Sequence, residues 1–282
     1  MIHPALRVRT SAPDLVLAAV DDFQPAALDE RDDCIRIFFA AGHARDAAHA
    51  ALGAAGFDVE PLDVDDEDWA RRSQENLEPV TIDRITVSPP WAAPRTPHPA
   101  PRALLPAPIR IVINPSMGFG TGHHATTRLC LRELQNLPLA GRSVLDVGTG
   151  SGILAIAAAR LGARRVVAID SDADAIENAR ENVALNGDLE GIDLRVADIA
   201  QATLPPADVV LANITAAALI ALADRLLALV NPSGTLIVSG ILDEQAGGVR
   251  GAFAAAGAGA ERHEDGWASI VFTLPATEPP LV

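Results

Sequence analysis

The chain has 282 residues, a formal net charge of −15 and 49% hydrophobic residues, which is enough for two domains with substantial cores. This charge argues against direct nucleic-acid binding, which needs a basic surface, and the presence of only two cysteines argues against a disulfide framework. Neither a signal sequence nor an apolar run long enough to span a membrane is apparent, so we expect a cytoplasmic protein. The sequence does not determine the oligomeric state, and we favour a monomer.

The first 66 residues predict a small α+β module. The acidity of the chain is concentrated at this end, because residues 1–80 contain 17 acids and seven arginines, a net of −10. This acidity serves either general solubility or the docking of a basic protein. Apolar patterning predicts strands at 6–9, 35–39 and 58–64, a weak strand at 26–30, and helices at 13–20 and 44–55, in the order β-α-β-β-α-β.

A connecting region is expected at 67–108. Its first part continues a charged stretch, 63–76, that is typical of a helix. The following stretch, 89–108, carries eight prolines within 20 residues and cannot form a regular element. We interpret it as a semi-rigid linker or a surface insertion that leads to a second domain at 109–276.

The segment 114–127 is too rich in glycine to be a strand and precedes a predicted helix at 128–134. It indicates a lid or clamp over a ligand. Phe119 would pack on that ligand, while Thr126 and Thr127 would cap the helix and bond a ligand carboxylate. Two adjacent histidines also lie in this segment, but neighbours on one loop rarely converge on one ion, so no metal site is expected.

The run 146–152, Asp-Val-Gly-Thr-Gly-Ser-Gly, lies between a short apolar strand and a predicted helix. Alternate glycines permit a tight turn and close approach of the backbone to a ligand. A dinucleotide fingerprint would need glycine where the chain has Ile153, so a pyrophosphate clamp is disfavoured. The D-x-G-x-G-x-G spacing fits S-adenosylmethionine better. Asp146 would then lie near the methionine amino group, and Gly148 and Gly150 beneath the ribose and sulfonium.

Two later strands are predicted to end in carboxylates. The continuous apolar run 165–170 is typical of a buried parallel strand, and its last residue, Asp170, would accept both ribose hydroxyls. Alternatively Asp170 caps the next helix, although Asp172 is better placed to do so. The strand 194–198 ends in Asp198, which either reaches the adenine edge or is an ordinary acid after a strand.

A fourth strand, 208–212, delivers Asn213 to the same edge of the sheet. Its amide can bond cofactor or substrate without titrating, which suits the positioning of a nucleophile for methyl transfer. Alternatively, or in addition, Asn213 caps a predicted helix at 215–229. Further strands are predicted at 235–239 and 268–273.

Several further segments complete a recognisable pattern. They are Asp68-Trp69 through Pro79, Pro90-Trp91, the segment 114–127, the glycine run through Ala155, Asp170, Ala212-Asn213-Ile214, Ser239-Gly240-Ile241-Leu242 and Trp267. Together these resemble the PrmA family, the methyltransferases of ribosomal large-subunit protein eleven. The resemblance covers nearly everything after Asp68. The family's usual Asp-Pro-Gly is Asn114-Pro115-Ser116 here, its Ala-Phe-Gly is Gly118-Phe119-Gly120, and its proline is Ala125.

The resemblance implies an α/β fold, with a seven-stranded Rossmann-like class I methyltransferase domain at 109–276 preceded by a small ferredoxin-like α+β domain at 1–66 that recognises the substrate. It also implies methyl transfer from S-adenosyl-L-methionine to amino groups of a ribosomal large-subunit protein, either lysine side chains or the N-terminal amine. The alternatives are another protein or a small molecule as substrate, or a catalytically silent adapter that binds the cofactor. The expected cofactor contacts are Phe119, Thr127, Asp146, Gly148, Gly150, Asp170, Asp198 and Asn213, and Asn213 is also the expected substrate-positioning residue.

Overall fold

The computed structural model describes residues 2–10, 16, 19–20, 23, 27–31, 34–39, 41–65, 78–92, 107–114, 122–187 and 189–276. The chain divides into two compact units, Met1–Asn76 and Leu77–Val282. The predicted helices at 13–20 and 63–76 and the segment 114–127 lie partly or largely outside the described residues.

The first unit is a four-stranded antiparallel sheet with a helix packed against it. Alternate residues of the strands, among them Leu6, Val8, Ile35 and Ile37, are buried against the helix residue Leu52. The sheet order is β2-β3-β1-β4, and every strand segment predicted here forms a strand. Its assignment as a ferredoxin-like substrate domain stays a prediction. The elements are β1 (Ile2–Arg9), β2 (Ala27–Arg31), β3 (Cys34–Phe38), α1 (Gly42–Ala54) and β4 (Asp58–Asp65).

A three-stranded sheet opens the second unit and corrects part of the predicted linker. Strands β5 (Val80–Ile82) and β6 (Ile85–Ser88) form a hairpin, and β6 pairs in parallel with β7 (Ile109–Val112). The prediction of 67–108 as connector and linker missed β5 and β6 because these strands are short and their turn, at Asp83-Arg84, lacks glycine. The proline-rich stretch therefore joins two neighbouring strands of one sheet.

A seven-stranded sheet forms the centre of the second unit and confirms the predicted Rossmann-like α/β fold. Its order is β10-β9-β8-β11-β12-β14-β13, and all neighbours are parallel except those that pair with β14. The strands are β8 (Ser143–Val147), β9 (Arg165–Asp170), β10 (Ile192–Val196), β11 (Ala207–Asn213), β12 (Val230–Leu242), β13 (Ala260–Glu264) and β14 (Trp267–Thr273).

Helices cover both faces of this sheet. The helices are α2 (Ala125–Gln135), α3 (Ile153–Arg160), α4 (Ala173–Leu185), α5 (Ala216–Ala221), α6 (Ala223–Ala228) and α7 (Ala246–Ala252). Val144 and Val209 pack in the core shared with α2 and α3, whereas Leu145 and Val210 pack in the core shared with α5, α6 and α7. Burial of both faces explains the continuous apolar runs of the strands, since each such buried side chain contributes about 1.5–3 kcal/mol.

Four elements of the second unit differ from the sequence-based expectation. The single helix predicted at 215–229 is divided into α5 and α6 at Leu222. Strand β10 ends at Val196, so Asp198 lies beyond the strand end and not on it. Helix α7 and strand β13 were not predicted, because their sequences are dominated by small or charged residues. Among the described residues, no helix is long and apolar enough to cross a membrane.

Candidate functional site

The glycine run forms a tight turn between β8 and α3. Gly148, Gly150 and Gly152 have φ values of 69°, 52° and 79°, a region that disfavours residues with a side chain. The N–H groups of Gly148 and Thr149 both donate to the Ile169 carbonyl, at 2.9 and 3.0 Å, which fixes the turn against β9. The loop is therefore a tight turn that exposes bare backbone at its three glycines, at the carboxyl edge of the sheet, as the sequence predicted.

Asp146 lies beneath this loop and is only 1% exposed. The Thr149 hydroxyl donates to its Oδ2 at 2.6 Å and the Ala155 N–H also stabilises the carboxylate, whereas Oδ1 has no partner with full hydrogen-bond geometry within the described part of the chain. Burial raises the pKa of Asp146 to about 6, and the nearby negative charge of Asp170 adds to the increase. A buried acceptor without a partner is costly, so Asp146 is a polar group able to receive a donor from a ligand.

Asp170, at the end of β9, connects the glycine loop to the next helix. Its Oδ2 accepts from the Gly150 N–H at 3.0 Å and its Oδ1 accepts from the Asp172 N–H at 3.1 Å. Asp172 caps α4, since its Oδ1 accepts from the Asp174 N–H at 2.9 Å. The alternative in which Asp170 is the helix cap is therefore wrong. Each oxygen of Asp170 keeps a lone pair for a ligand hydroxyl.

Asp198 lies near Asp170, but its side-chain hydrogen bonds are made within its own turn. The Ala197 N–H donates to the Asp170 carbonyl at 2.8 Å, which brings the turn after β10 to this edge. Asp198 Oδ1 accepts from the Ala200 N–H at 2.9 Å and Oδ2 accepts from the Gln201 amide at 3.0 Å. The side chain is exposed and its described bonds are local, and its contact with adenine stays a prediction.

Asn213 ends β11 and pairs in register with Ser239 of β12. Its half-buried amide makes no hydrogen bond to any described residue. Helix α5 is instead capped by Thr215, whose hydroxyl accepts from the Ala218 N–H at 3.4 Å. The alternative role of Asn213 as the helix cap is therefore wrong, and its amide stays available to a ligand.

The amino terminus of α2 completes the edge. Its cap is His124 and not the predicted Thr126 or Thr127, because His124 Nδ1 accepts from the Thr126 N–H at 3.4 Å and lies 2.8 Å from its hydroxyl oxygen. Burial, with the positive charge of Arg128, lowers the pKa of His124. The neutral ring can therefore accept this bond. Thr126 and Thr127 are both buried, and the predicted contact Phe119 lies outside the described residues.

Ion pairs attach α2 to the β13–β14 hairpin. Arg128 pairs with Glu264 at 2.6 Å and with Asp265 at 2.5 Å, and its guanidinium also donates to the His123 carbonyl. Arg132 pairs with the same Glu264. Burial raises the pKa of Glu264, but the two arginines outweigh it and the net direction is down. The sequence did not reveal these pairs, because 136 residues separate Arg128 from Glu264.

The chemistry of this edge fits a positively charged adenosine cofactor. Asp146, Asp170 and Asp198 carry carboxylates, Asn213 is neutral, and the glycine loop leaves room for a ligand next to backbone. Both the sulfonium and the ammonium of S-adenosylmethionine are cations, which carboxylates stabilise. Among the described residues, no group of three or more His, Cys, Asp or Glu side chains is arranged to hold a metal ion.

Comparison with known proteins gives a consistent result. The family model described as Ribosomal protein L11 methyltransferase (PrmA) matches residues 26–275. Proteins named ribosomal protein L11 methyltransferase from Azotobacter vinelandii (strain DJ) and Pseudomonas aeruginosa (strain LESB58) are 45% and 44% identical over 212 and 194 residues. These matches cover 73% and 68% of this chain, and they span about two thirds of the relatives' own lengths, 68% and 63%.

A solved structure supports the same fold. The crystal structure of ribosomal protein L11 methylase from Lactobacillus delbrueckii subsp. bulgaricus aligns with a TM-score of 0.60 and 28% sequence identity. The alignment covers 71% of this chain and 98% of that chain. The seven-stranded sheet described above is therefore that of a class I methyltransferase.

Proposed function

The chain belongs to the PrmA family of ribosomal protein L11 methyltransferases, and we propose that it transfers methyl groups from S-adenosyl-L-methionine to amino groups of ribosomal protein L11. The observation that supports this most directly is the carboxylate of Asp170. It is fixed by the Gly150 N–H at the end of a parallel strand and beside a turn in which every second residue is a glycine. This arrangement suits an adenosine ligand whose ribose hydroxyls need acceptors.

The bound cofactor supplies a methyl group already activated by positively charged sulfur. The protein must therefore bind the cofactor, orient the incoming amine and exclude competing groups. No residue is assigned as a general base. In this proposal Asp170 accepts from the ribose hydroxyls, while Gly148 and Gly150 let the backbone approach the cofactor. Thr127 contacts the cofactor from the start of α2, and Asp146 accepts a donor at its open Oδ1.

Asn213 is proposed to orient the incoming amine. Its amide has no partner among the described residues, and it ends the strand next to the glycine loop. An amide oxygen can accept from a neutral amine and leave the nitrogen lone pair free for attack on the methyl group. The amine would be a lysine side chain or the N-terminal amine of the substrate.

The acidic first unit is proposed to dock the basic substrate. Residues 1–76 contain 16 acids and seven arginines, a net charge of −9, whereas the rest of the chain carries −6. A negative surface of this kind steers a basic partner and weakens with added salt.

The test is transfer of label from S-adenosyl-L-methionine to purified ribosomal protein L11, followed by mass identification of the methylated residues. We expect label on amino groups of L11, and we expect an Asp170→Ala chain to bind the cofactor more weakly by about 1.5–3 kcal/mol. A lysate lacking this protein serves as a competing substrate pool. Label found only in small metabolites, or cofactor binding without transfer to any protein, would reject the proposal in favour of another substrate or a silent adapter.

A further inference from the structure

Asn182 is a fully buried amide on α4, with 0% exposure, that lies between two separate parts of the second unit. Its Nδ2 donates to the Ser151 carbonyl of the glycine loop at 2.9 Å and lies 3.3 Å from Asn178 Oδ1. Its Oδ1 accepts from the Asn114 N–H, just beyond β7, at 2.7 Å. The amide is therefore satisfied on both sides and joins the glycine loop to the three-stranded sheet.

Asn186, the C-cap residue of α4, lies about one turn after Asn182 and makes a different set of hydrogen bonds. Its Oδ1 accepts from the Val112 N–H at 2.9 Å. Its Nδ2 donates to the carbonyls of Val112 at 2.6 Å and Asn182 at 2.7 Å. The side-chain hydrogen bonds of Asn186 thus attach the end of α4 to β7, and none of them reaches the glycine loop. Asn186 is already sufficient to attach β7 to α4. The additional bond from Asn182 to Ser151 therefore needs a separate explanation.

Helix α4 is packed directly against the loop at this point. A Cβ built on Gly152 would lie 3.1 Å from the Ala179 Cβ, so the loop and the helix approach as closely as glycine allows. Ser151 is flanked by Gly150 and Gly152, both at positive φ, and glycines have the largest conformational freedom to lose. A buried side chain that holds the Ser151 carbonyl therefore restrains the same backbone from which Gly150 donates to Asp170.

We propose that Asn182 is a positioning residue for cofactor binding, which holds the glycine loop in its binding geometry through the Ser151 carbonyl. This inference rests on the proposed function, because it concerns the affinity of that site for S-adenosyl-L-methionine. Without the amide, the Ser151 carbonyl and the Asn114 N–H each lose the hydrogen bond that Asn182 makes with them. The loop then samples conformations in which Gly150 and Asp170 are not paired, and only a fraction of molecules is ready to bind.

The experiment compares Asn182→Ala with its matched control Asn186→Ala in the full chain. Cofactor affinity is measured by calorimetry, stability by thermal unfolding, and methyl transfer at saturating L11. We expect Asn182→Ala to raise the Kd and KM for S-adenosyl-L-methionine roughly tenfold with little change in kcat. Asn186→Ala should lower the melting temperature at least as much, because it removes as many buried bonds, and should change the Kd by less than about twofold.

Three results would overturn the inference. If the wild-type chain binds the cofactor tightly and a folded Asn182→Ala chain has the same Kd, the inference is wrong but the proposed function stands. Equal losses of affinity in the two variants also overturn it, because affinity would then follow stability. If Asn182→Ala does not fold, Asn182→Ser replaces it, and a chain that folds only with asparagine at 182 shows that the residue serves the fold. Absence of binding by the wild-type chain would instead remove the proposed function itself.

Discussion

The buried carboxyl of Asp146 links the chemistry of the site to the stability of the fold. Burial raises its pKa from 3.8 to about 6, so between these values the folded chain binds more protons than the unfolded chain. Its contribution to stability is therefore complete below the unfolded pKa and is lost as the pH rises through the folded one. The size of this loss is about 3 kcal/mol.

We expect the cofactor-free wild-type chain to lose stability relative to Asp146→Asn between pH 4 and pH 7. The amide keeps the shape and the acceptor for Thr149 but does not ionise. Urea unfolding at several pH values gives the free energy of unfolding of each chain. Carboxyls such as Asp208, whose pKa is lowered by bonds from Ser143 and Asn231, have the opposite pH dependence. Their effect is the same in both chains and cancels in the difference between them. Parallel curves for the two chains would contradict the assignment.

Gly148 has no room for a side chain, whereas Gly141, a second glycine with positive φ, does. An added Cβ would lie 2.5 Å from the Ile214 Cγ2, and the φ of 69° disfavours any side chain. Gly148→Ala should cost about 1–2 kcal/mol in stability and lower cofactor affinity at least tenfold, since Ile214 and the loop must move apart. Gly141→Ala is the control, because its φ is 77° but nothing lies within 4 Å. Calorimetry should show no loss of affinity for this control.

Substitutions at Asn213 and Thr215 distinguish an effect on turnover from an effect on helix capping. Asn213→Ala should lower kcat roughly tenfold or more if the amide orients the reacting amine, with little effect on the melting temperature. Thr215→Ala should instead cost about 0.5–2 kcal/mol of stability, because it removes the cap of α5. Steady-state kinetics and thermal unfolding of both variants provide the measurement. Normal turnover in Asn213→Ala would exclude the orienting role.

At the level of elements, α2 depends on a carboxylate from another part of the sheet. Glu264 is 19% exposed and pairs with both Arg128 and Arg132, so Glu264→Gln would leave two arginines without their shared partner. We expect a loss of about 1–3 kcal/mol in unfolding free energy. Glu177→Gln is the control, since Glu177 and Arg180 are both more than half exposed, and it should cost less than about 0.5 kcal/mol. Equal effects in urea unfolding would show that the α2 pairs are ordinary surface pairs.

The elements predicted correctly are those whose signal is local. The apolar run Arg165–Asp170 and the glycine turn after Val147 can be recognised within a few residues, because burial on both faces and positive φ each restrict the residue types. Strand β13, Ala-Glu-Arg-His-Glu, has no apolar alternation, because its long charged side chains lie on exposed or half-buried surface and pair with other elements. Its place in the sheet depends on pairing with β14, which local sequence does not encode.

The residues proposed for the site follow the same division between local and long-range signals. Asp146, Asp170 and Asn213 were recognised because each lies at the end of a strand next to a motif. Asn182 gave no such signal, since an asparagine in a helix interior is usually solvated, and its role depends on contacts with Ser151 and Asn114 that are 31 and 68 residues away.

For the whole molecule, the two units define where the chain can be divided. The second unit begins at Leu77, and the described site residues at Thr127, Gly148, Asp170 and Asn213 all belong to it. Removal of residues 1–76 should therefore leave cofactor affinity near that of the full chain. Methylation of intact L11 should fall sharply if the acidic unit presents the substrate.

Two further measurements sharpen this prediction. Added salt should weaken the apparent affinity of the full chain for L11 more than for the cofactor, because screening acts on the acidic surface. A chain that starts at residue 109 is the contrasting variant, because it loses β5 and β6 and should be markedly less stable. A chain lacking residues 1–76 that still methylates L11 at the normal rate would contradict the substrate-docking role.

The acidic character of the sheet edge also bears on which metabolites are kept out. Adenosine is shared by the cofactor and by ATP, which cells hold at high concentration. A triphosphate placed where we propose that the methionine portion binds would bring several negative charges towards Asp146 and Asp170, which lie at neighbouring strand ends. Repulsion of the wrong adenosine compound then contributes to selectivity as much as attraction of the right one, so ATP would be a poor competitor despite its identical base and sugar.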